Sequence, residues 1–198
     1  MDKVLGIGNA LVDIMTRLEN DRFLDEFKLP KGSMQLVDQD FVRKITAASE
    51  KFDRHQSSGG SAANTIHGLA RLGVESGFIG KVGQDELGDF FFKDMKESHI
   101  DPKLMKSNTD SGRAVALISP DSERTFATFL GAAIDLLPED LHKELFDGYK
   151  YLHVEGYLVQ NHDLLTRASQ LARENNMKIS LDLASYNVVE DNLEFLKT

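Results

Sequence analysis

The residues best suited to chemistry gather in one stretch, Ser57-Ser58-Gly59-Gly60-Ser61-Ala62-Ala63-Asn64-Thr65. Two glycines run straight into a helical pattern. Without Cβ atoms they let backbone approach a ligand closely, with N–H groups free to point at it. Ser61 is suited to cap the helix, whose apolar face carries Ala62, Ala63, Ile66, Leu69, Ala70 and Leu72 before Gly73 closes it. Asn64 lies one turn inside, within reach of anything the glycines hold. The same glycines would also serve a tight strand-to-helix turn with no ligand, and this stretch alone does not separate the two readings.

Open parallel sheets bind ligands at the carboxyl ends of their strands. The groups expected there are Asn9 and Asp13, then Gly59, Gly60 and Asn64, then Glu155, Gly156 and Tyr157, then Asp182. Short carboxylates and amides suit the hydroxyls of a sugar: a carboxylate accepts from two neighbouring hydroxyls, and an asparagine both donates and accepts. Asp13 would serve equally as a turn residue or helix cap. Arg124, beside a hairpin loop, is either a solvated charge or a group that folds over a ligand to meet a phosphate.

Other chemistries find no support. Gly6-Ile7-Gly8-Asn9-Ala10-Leu11 lacks the third glycine of a dinucleotide fingerprint. The six histidines form no pair at metal-ligand spacing and there is no cysteine, which disfavours zinc and excludes disulfides and thiolate chemistry. Neither a Gly-x-Ser-x-Gly elbow nor a Walker-type phosphate loop occurs.

The elements that must position these groups alternate between strand and helix. Val4 to Ile7 reads as a strand ending at Gly8-Asn9, and the segment after it has no clean helix start. A strand over 32–37 precedes a helix capped by Asp38. The helix after Gly60 leads to a strand over 76–79, a loop at Gly80-Lys81-Val82-Gly83, and a helix capped by Asp85. A β-hairpin spans 113–130, and a strand–helix–strand unit over 151–183 indicates a parallel sheet. Residues 188–196 begin another helix. Two β-rich interruptions, about 32–57 and 112–130, suggest a small separate sheet placed as a lid over a crevice.

The chain has 198 residues and a net charge of −9, and that length is enough for one domain with a proper core, or one domain plus a small appendage. No basic patch argues for nucleic acid and no polybasic or apolar run argues for a membrane, so neither is expected as a partner. The N-terminus has no signal-peptide pattern, and a cytoplasmic protein is expected.

Taken in order, the motifs resemble those of the ribokinase-like (PfkB-type) carbohydrate and nucleoside kinases. Gly59-Gly60-Ser61-Ala62-Ala63-Asn64 is similar to that family's first signature, and Gly8-Asn9 with Asp13 to its first-strand substrate motif. Gly80-Lys81-Val82-Gly83-Gln84-Asp85-Glu86-Leu87-Gly88 resembles its Gly-x-Val-Gly-x-Asp-x-x-Gly segment. Glu123-Arg124-Thr125, Gly131-Ala132-Ala133 and Leu137-Pro138-Glu139-Asp140 follow in the usual order. The spacing from Asn9 to Asp13 resembles the adenosine-kinase-like branch, and Ser61 stands where ribokinases usually carry Lys.

The resemblance implies a Rossmann-like ribokinase fold, a mostly parallel sheet flanked by helices with a small β-sheet lid, truncated at its C-terminus. It implies transfer of the γ-phosphoryl group of ATP, with Mg²⁺, to a hydroxymethyl group of a sugar or nucleoside. Asn9, Asp13, Gly59, Gly60 and Asn64 would bind the substrate's hydroxyls, and Arg124 would reach in from the lid. Asp182 is assigned to cofactor binding. Association into a homodimer through the lid is a further expectation. The family's second signature, Gly-Ala-Gly-Asp, holds the anion hole and catalytic base. Nothing after residue 182 resembles it, and Gly131-Ala132-Ala133-Ile134-Asp135 lacks its second glycine. The base is therefore expected beyond Thr198, and the chain is expected not to turn over. The alternative is a non-catalytic sugar- or nucleoside-binding protein, and a weaker third reading is a Rossmann oxidoreductase.

Overall fold

The computed structural model describes residues 2–197. In chain order the strands and α-helices are β1 (Val4–Ile7), β2 (Leu11–Arg17), α1 (Arg22–Glu26), β3 (Met34–Leu36), α2 (Gln39–Ala48), β4 (Arg54–Gly59) and α3 (Ser61–Arg71). There follow β5 (Ser76–Gly83), α4 (Glu86–Glu97), β6 (Ile100–Ser107), β7 (Gly112–Ile118) and β8 (Arg124–Phe129). The last are β9 (Tyr151–Val154), α5 (His162–Glu174), β10 (Lys178–Leu181), α6 (Tyr186–Asp191) and α7 (Leu193–Leu196).

The strands form two sheets. The first, in the order β10-β9-β1-β5-β6, is parallel throughout. The second, β3-β8-β7-β2-β4, is mixed, with β2 central between antiparallel β4 and parallel β7. Side chains alternate faces along a strand. In the first sheet Phe78 packs with Ile66 and Phe91 on one side, while Leu5, Ile7 and Ile79 pack with Leu164, Leu171 and Phe146 on the other. The inner face of the second sheet, with Val12, Ile14, Val115 and Leu117, joins the first of these cores. Its outer face carries Leu11, Asp13 and Met15, all partly accessible.

Several expectations are corrected. The residues after Asn9 are strand, since β2 is the middle of the second sheet and its alternating burial matches that pairing. Gly80 to Gly83 is the second half of β5 and pairs with β6. Those glycines mark close approach: a Cβ on Gly80 would lie 3.0 Å from that of Ala10, and one on Gly83 would lie 2.6 Å from the Ser111 nitrogen. Beyond 182 the chain forms two short helices, α6 and α7, where one was expected.

The expected caps at Asp38, Asp85 and Asn161 are present, accepting from the backbone N–H of Phe41, Gly88 and Leu164. Asp85 also accepts from the Ser111 N–H at 2.7 Å and hydroxyl at 2.6 Å, which ties α4 to the start of β7. Burial opposes its charge, but the bonds from Ser111 and Gly88 prevail and hold the carboxyl below its ordinary range.

Candidate functional site

The two sheets meet where the link Gly8-Asn9-Ala10 carries the chain from β1 to β2. Asn9 is 7% exposed and donates from Nδ2 to Glu155 Oε1 at 2.6 Å. Glu155, directly after β9, is 2% exposed, and its Oε2 accepts from the Ala62 N–H at 3.2 Å. Burial pushes the Glu155 carboxyl up, against the bonds from Ala62 and Asn9. This carboxylate meets a first-turn N–H of α3, a helix end with unpaired donors. That arrangement revises the expected cap. Gly60 occupies the N-cap position with φ +103°, and Ser61 is the first helical residue. The Ser61 hydroxyl instead donates to Asp182 Oδ2 at 2.6 Å. Only glycine suits position 60, because a Cβ there would fall on the Asn9 carbonyl as well as meet an unfavourable φ.

Asp13 stands on the outer face of β2, opposite Ser57 of β4 and Ala114 of β7. It is neither a helix cap nor a turn residue. Burial pushes its carboxyl up to about 6. Gly59 makes room for it, since a Cβ at that position would land on the Asp13 carboxylate. Asn64 is exposed on α3, with its N–H bonded to the Gly60 carbonyl at 2.9 Å.

A cavity of about 750 Å³ opens over this junction. Asn9, Gly60 and Glu155 line one side, and Leu11, Met34, Leu36 and Thr128 of the second sheet, with Leu130 just past β8, line the other. Its remaining wall includes Ile134, Tyr157, Asn187 and Asp191. Met34, Leu36 and Ile134 are 56%, 64% and 61% exposed, so the cavity offers uncovered apolar surface facing a polar wall. No Lys or Arg lines it. Asp13, Gly59 and Asn64 adjoin the junction without lining the cavity.

Asp182 borders a second depression, which shares Ser61 and Ser185 with the first. Its Oδ1 accepts from the Ala184 N–H at 2.7 Å, so the side chain already holds two partners. Arg124 is exposed at the start of β8, paired with Ile118. It shares the outer face with Asp13 but lies four residues further along the ladder from the Asp13–Ala114–Thr128 row, or about 13 Å. The structure therefore brings Asn9, Asp13, Gly59 and Gly60 together and holds Arg124 apart from them. The Gly131–Asp135 segment forms a 3₁₀ turn, and Asp135 accepts from the Ser107 hydroxyl at 2.5 Å.

Sequence reasoning placed Glu155 among the strand-end groups without giving it a role. Its signal was a carboxylate and a glycine directly after an apolar run. Met34, Leu36, Thr128 and Leu130 were missed as lining residues, because only the strand pairing turns them toward the junction.

The architecture is that of the ribokinase-like kinases, a parallel α/β sheet with a second, mixed sheet beside the ends of its strands. The chain belongs to the pfkB family of carbohydrate kinases, whose model matches residues 34–195. Fructokinase of Klebsiella pneumoniae is 37% identical over 103 residues, covering 50% of this chain and 33% of that protein. The 5-dehydro-2-deoxygluconokinase of Geobacillus thermodenitrificans is 29% identical over 133 residues, covering 63% and 40%. Among solved structures, a probable sugar kinase from Rhizobium etli superposes with a TM-score of 0.83 at 30% identity, covering 99% of this chain and 60% of that one. Adenosine kinase from Sinorhizobium meliloti gives 0.82 at 32% identity, covering 99% and 61%. The chain thus spans 33–40% of these curated relatives and 60–61% of these solved chains. Among the described residues no helix is long and apolar enough to cross a membrane.

Proposed function

We propose that this chain carries the acceptor-binding half of an ATP-dependent kinase that phosphorylates a hydroxymethyl group of a sugar or nucleoside. The observation that carries this reading is the convergence at the junction of the two sheets: Asn9, Glu155 and Gly60 line one cavity, and Asp13 packs against Gly59 beside it. In this reading the Asp13 carboxylate accepts from acceptor hydroxyls and the outer face of the mixed sheet acts as the lid. Asn64 and Arg124 complete the acceptor site when the lid closes over a ligand, bringing Arg124 inward.

ATP supplies the phosphoryl group when bound, but the residues described here do not fit a triphosphate. The cavity's charged lining groups are the acids Glu155 and Asp191, and the depression beside it adds Asp182. Nor does any cluster of three His, Asp or Glu residues suited to a metal occur among the described residues. Asp182 instead holds the Ser61 hydroxyl at the edge between the two depressions. No Gly-Ala-Gly-Asp segment occurs in the 198 residues, and we expect acceptor binding without turnover. The uncovered Met34 and Leu36 would also suit self-association through the lid.

The experiment is calorimetric titration of the chain with adenosine, fructose and ribose, beside a Mg-ATP phosphorylation assay of each. Binding of at least one without phosphorylation supports the reading, and phosphorylation would overturn the inactivity. Failure of all three to bind would reject the acceptor site. A natural longer protein that binds but never phosphorylates would favour the non-catalytic alternative.

A further inference from the structure

Ser58, His67 and Asp94 come together from β4, α3 and α4, directly behind the glycine turn. Ser58 is 3% exposed, and it is the last residue before Gly59. Its N–H donates to Asp94 Oδ2 at 2.8 Å, and its hydroxyl donates to the same oxygen. The His67 Nε2 lies 2.6 Å from that hydroxyl and 4.0 Å from the Asp94 carboxylate. We propose that these three side chains are positioning residues for the acceptor site, clasping the strand–turn–helix segment that carries Gly59 and Gly60. The inference rests on the acceptor reading above.

Proton accounting fixes the clasp's polarity. A serine hydroxyl has one hydrogen, and an ionised carboxylate has none to give. Ser58 spends its hydrogen on Asp94, so its oxygen can only accept from His67. His67 must therefore carry its proton on Nε2. Burial lowers the His67 pKa against the pull of Asp94, with Arg71 adding to the lowering. The ring is thus the neutral Nε2–H form near neutral pH.

The geometry explains why a clasp is needed there. β4 is an edge strand, paired only with β2. Its last N–H groups face no further strand, and the Asp94 carboxylate takes that place for Ser58. His67 sits two turns into the helix that begins after Gly60. A bond from His67 back to Ser58 spans the turn and fixes the angle between strand and helix. That angle sets where Gly59 lies against Asp13 and where Gly60 lies against the Asn9 carbonyl.

The test uses the ¹⁵N-labelled chain and two substitutions. Long-range ¹H–¹⁵N spectra of wild type should show His67 protonated on Nε2 and bare on Nδ1. The opposite tautomer overturns the proposal, and this arm needs no variant. His67→Gln keeps an N–H donor, whereas His67→Leu removes it. His67→Leu should weaken adenosine or fructose binding about tenfold and speed amide exchange across residues 59–62 by a similar factor, and His67→Gln should stay within about twofold of wild type. Unchanged affinity and exchange in His67→Leu would overturn the proposal, as would equal losses in both variants. Ser58→Ala gives the same reading if His67→Leu does not fold. Failure of wild type to bind either ligand rejects the acceptor reading itself. The clasp is then judged on tautomer and exchange.

Discussion

Replacing Asp13 by Asn should stabilise the fold while damaging the proposed acceptor site. Burial lifts the Asp13 carboxyl from an ordinary 3.8 to about 6, because its charge sits in a partly enclosed place. The gap between 3.8 and about 6, at about 1.4 kcal/mol per pH unit, corresponds to about 3 kcal/mol of strain on the ionised form. Asp13 keeps some contact with solvent, so about 1–2 kcal/mol is the expected gain for Asp13→Asn at pH 8. The sign follows from proton uptake. Between pH 6 and 4 the folded wild type binds the proton more readily than the unfolded chain, so its handicap shrinks as pH falls. The advantage of Asp13→Asn should be roughly halved at pH 5 and absent below pH 3.8. Urea unfolding at pH 8 and pH 5, with stability extrapolated to water, measures both values. A variant no more stable than wild type at pH 8, or a gain that persists undiminished at pH 5, would refute the reasoning. In the proposed site the same carboxylate must be ionised to accept two hydroxyls, so wild-type acceptor affinity should fall as pH drops through about 6.

Gly59→Ala places a methyl group on the Asp13 carboxylate, and calorimetry should show acceptor affinity reduced by tenfold or more with about 1–3 kcal/mol lost in stability. Asn9→Ala leaves the buried Glu155 without its 2.6 Å donor, costing about 2 kcal/mol in urea unfolding, and much of that cost should disappear when Glu155→Gln is added. Asp85→Ala removes the partner of the Gly88 and Ser111 N–H groups, and should cost about 2 kcal/mol with faster amide exchange at both positions. Leu36→Glu on the outer face of the mixed sheet should move any dimer toward monomer, read by light scattering across a concentration series, and an unchanged mass would rule out the lid as the contact.

Local signals carried much of the fold. Apolar spacing of 3.6 and a short polar residue at each start identified α2, α4 and α5, and Gly60 with Gly73 bracketed α3. The two β-rich interruptions do belong to a second sheet. What stayed hidden depends on contacts distant in sequence. β2 gave no recognisable start because its partners, β4 and β7, lie far along the chain. β6 contains Pro102 and three lysine or aspartate residues, a composition tolerable at the edge of the first sheet but weak as a local strand signal. The site divides the same way. Asn9, Asp13 and the glycines could be read from motif order, whereas Glu155 acquires its role only when β9 pairs with β1 and brings it under Ala62. His67 and Asp94 lie 9 and 36 residues after Ser58, with no spacing that marks the three as a group.

The mixed sheet is attached to the body in a lopsided way. Leu11, Gly59, Gly112 and Phe129 are the ends at which β2, β4, β7 and β8 connect to the parallel-sheet half, and the register places them at one end of the sheet. The opposite margin carries Arg17, Arg54 and Arg124, at the end of the ladder farthest from those connections. Six residue steps of β2 make its arm about 20 Å long. A tilt of about ten degrees at the attached end would carry the arginine margin about 3.5 Å but shift Asp13, two steps out, by only about 1 Å. In the proposed acceptor site, a tilt of the sheet would therefore move Arg124 several times as far as Asp13.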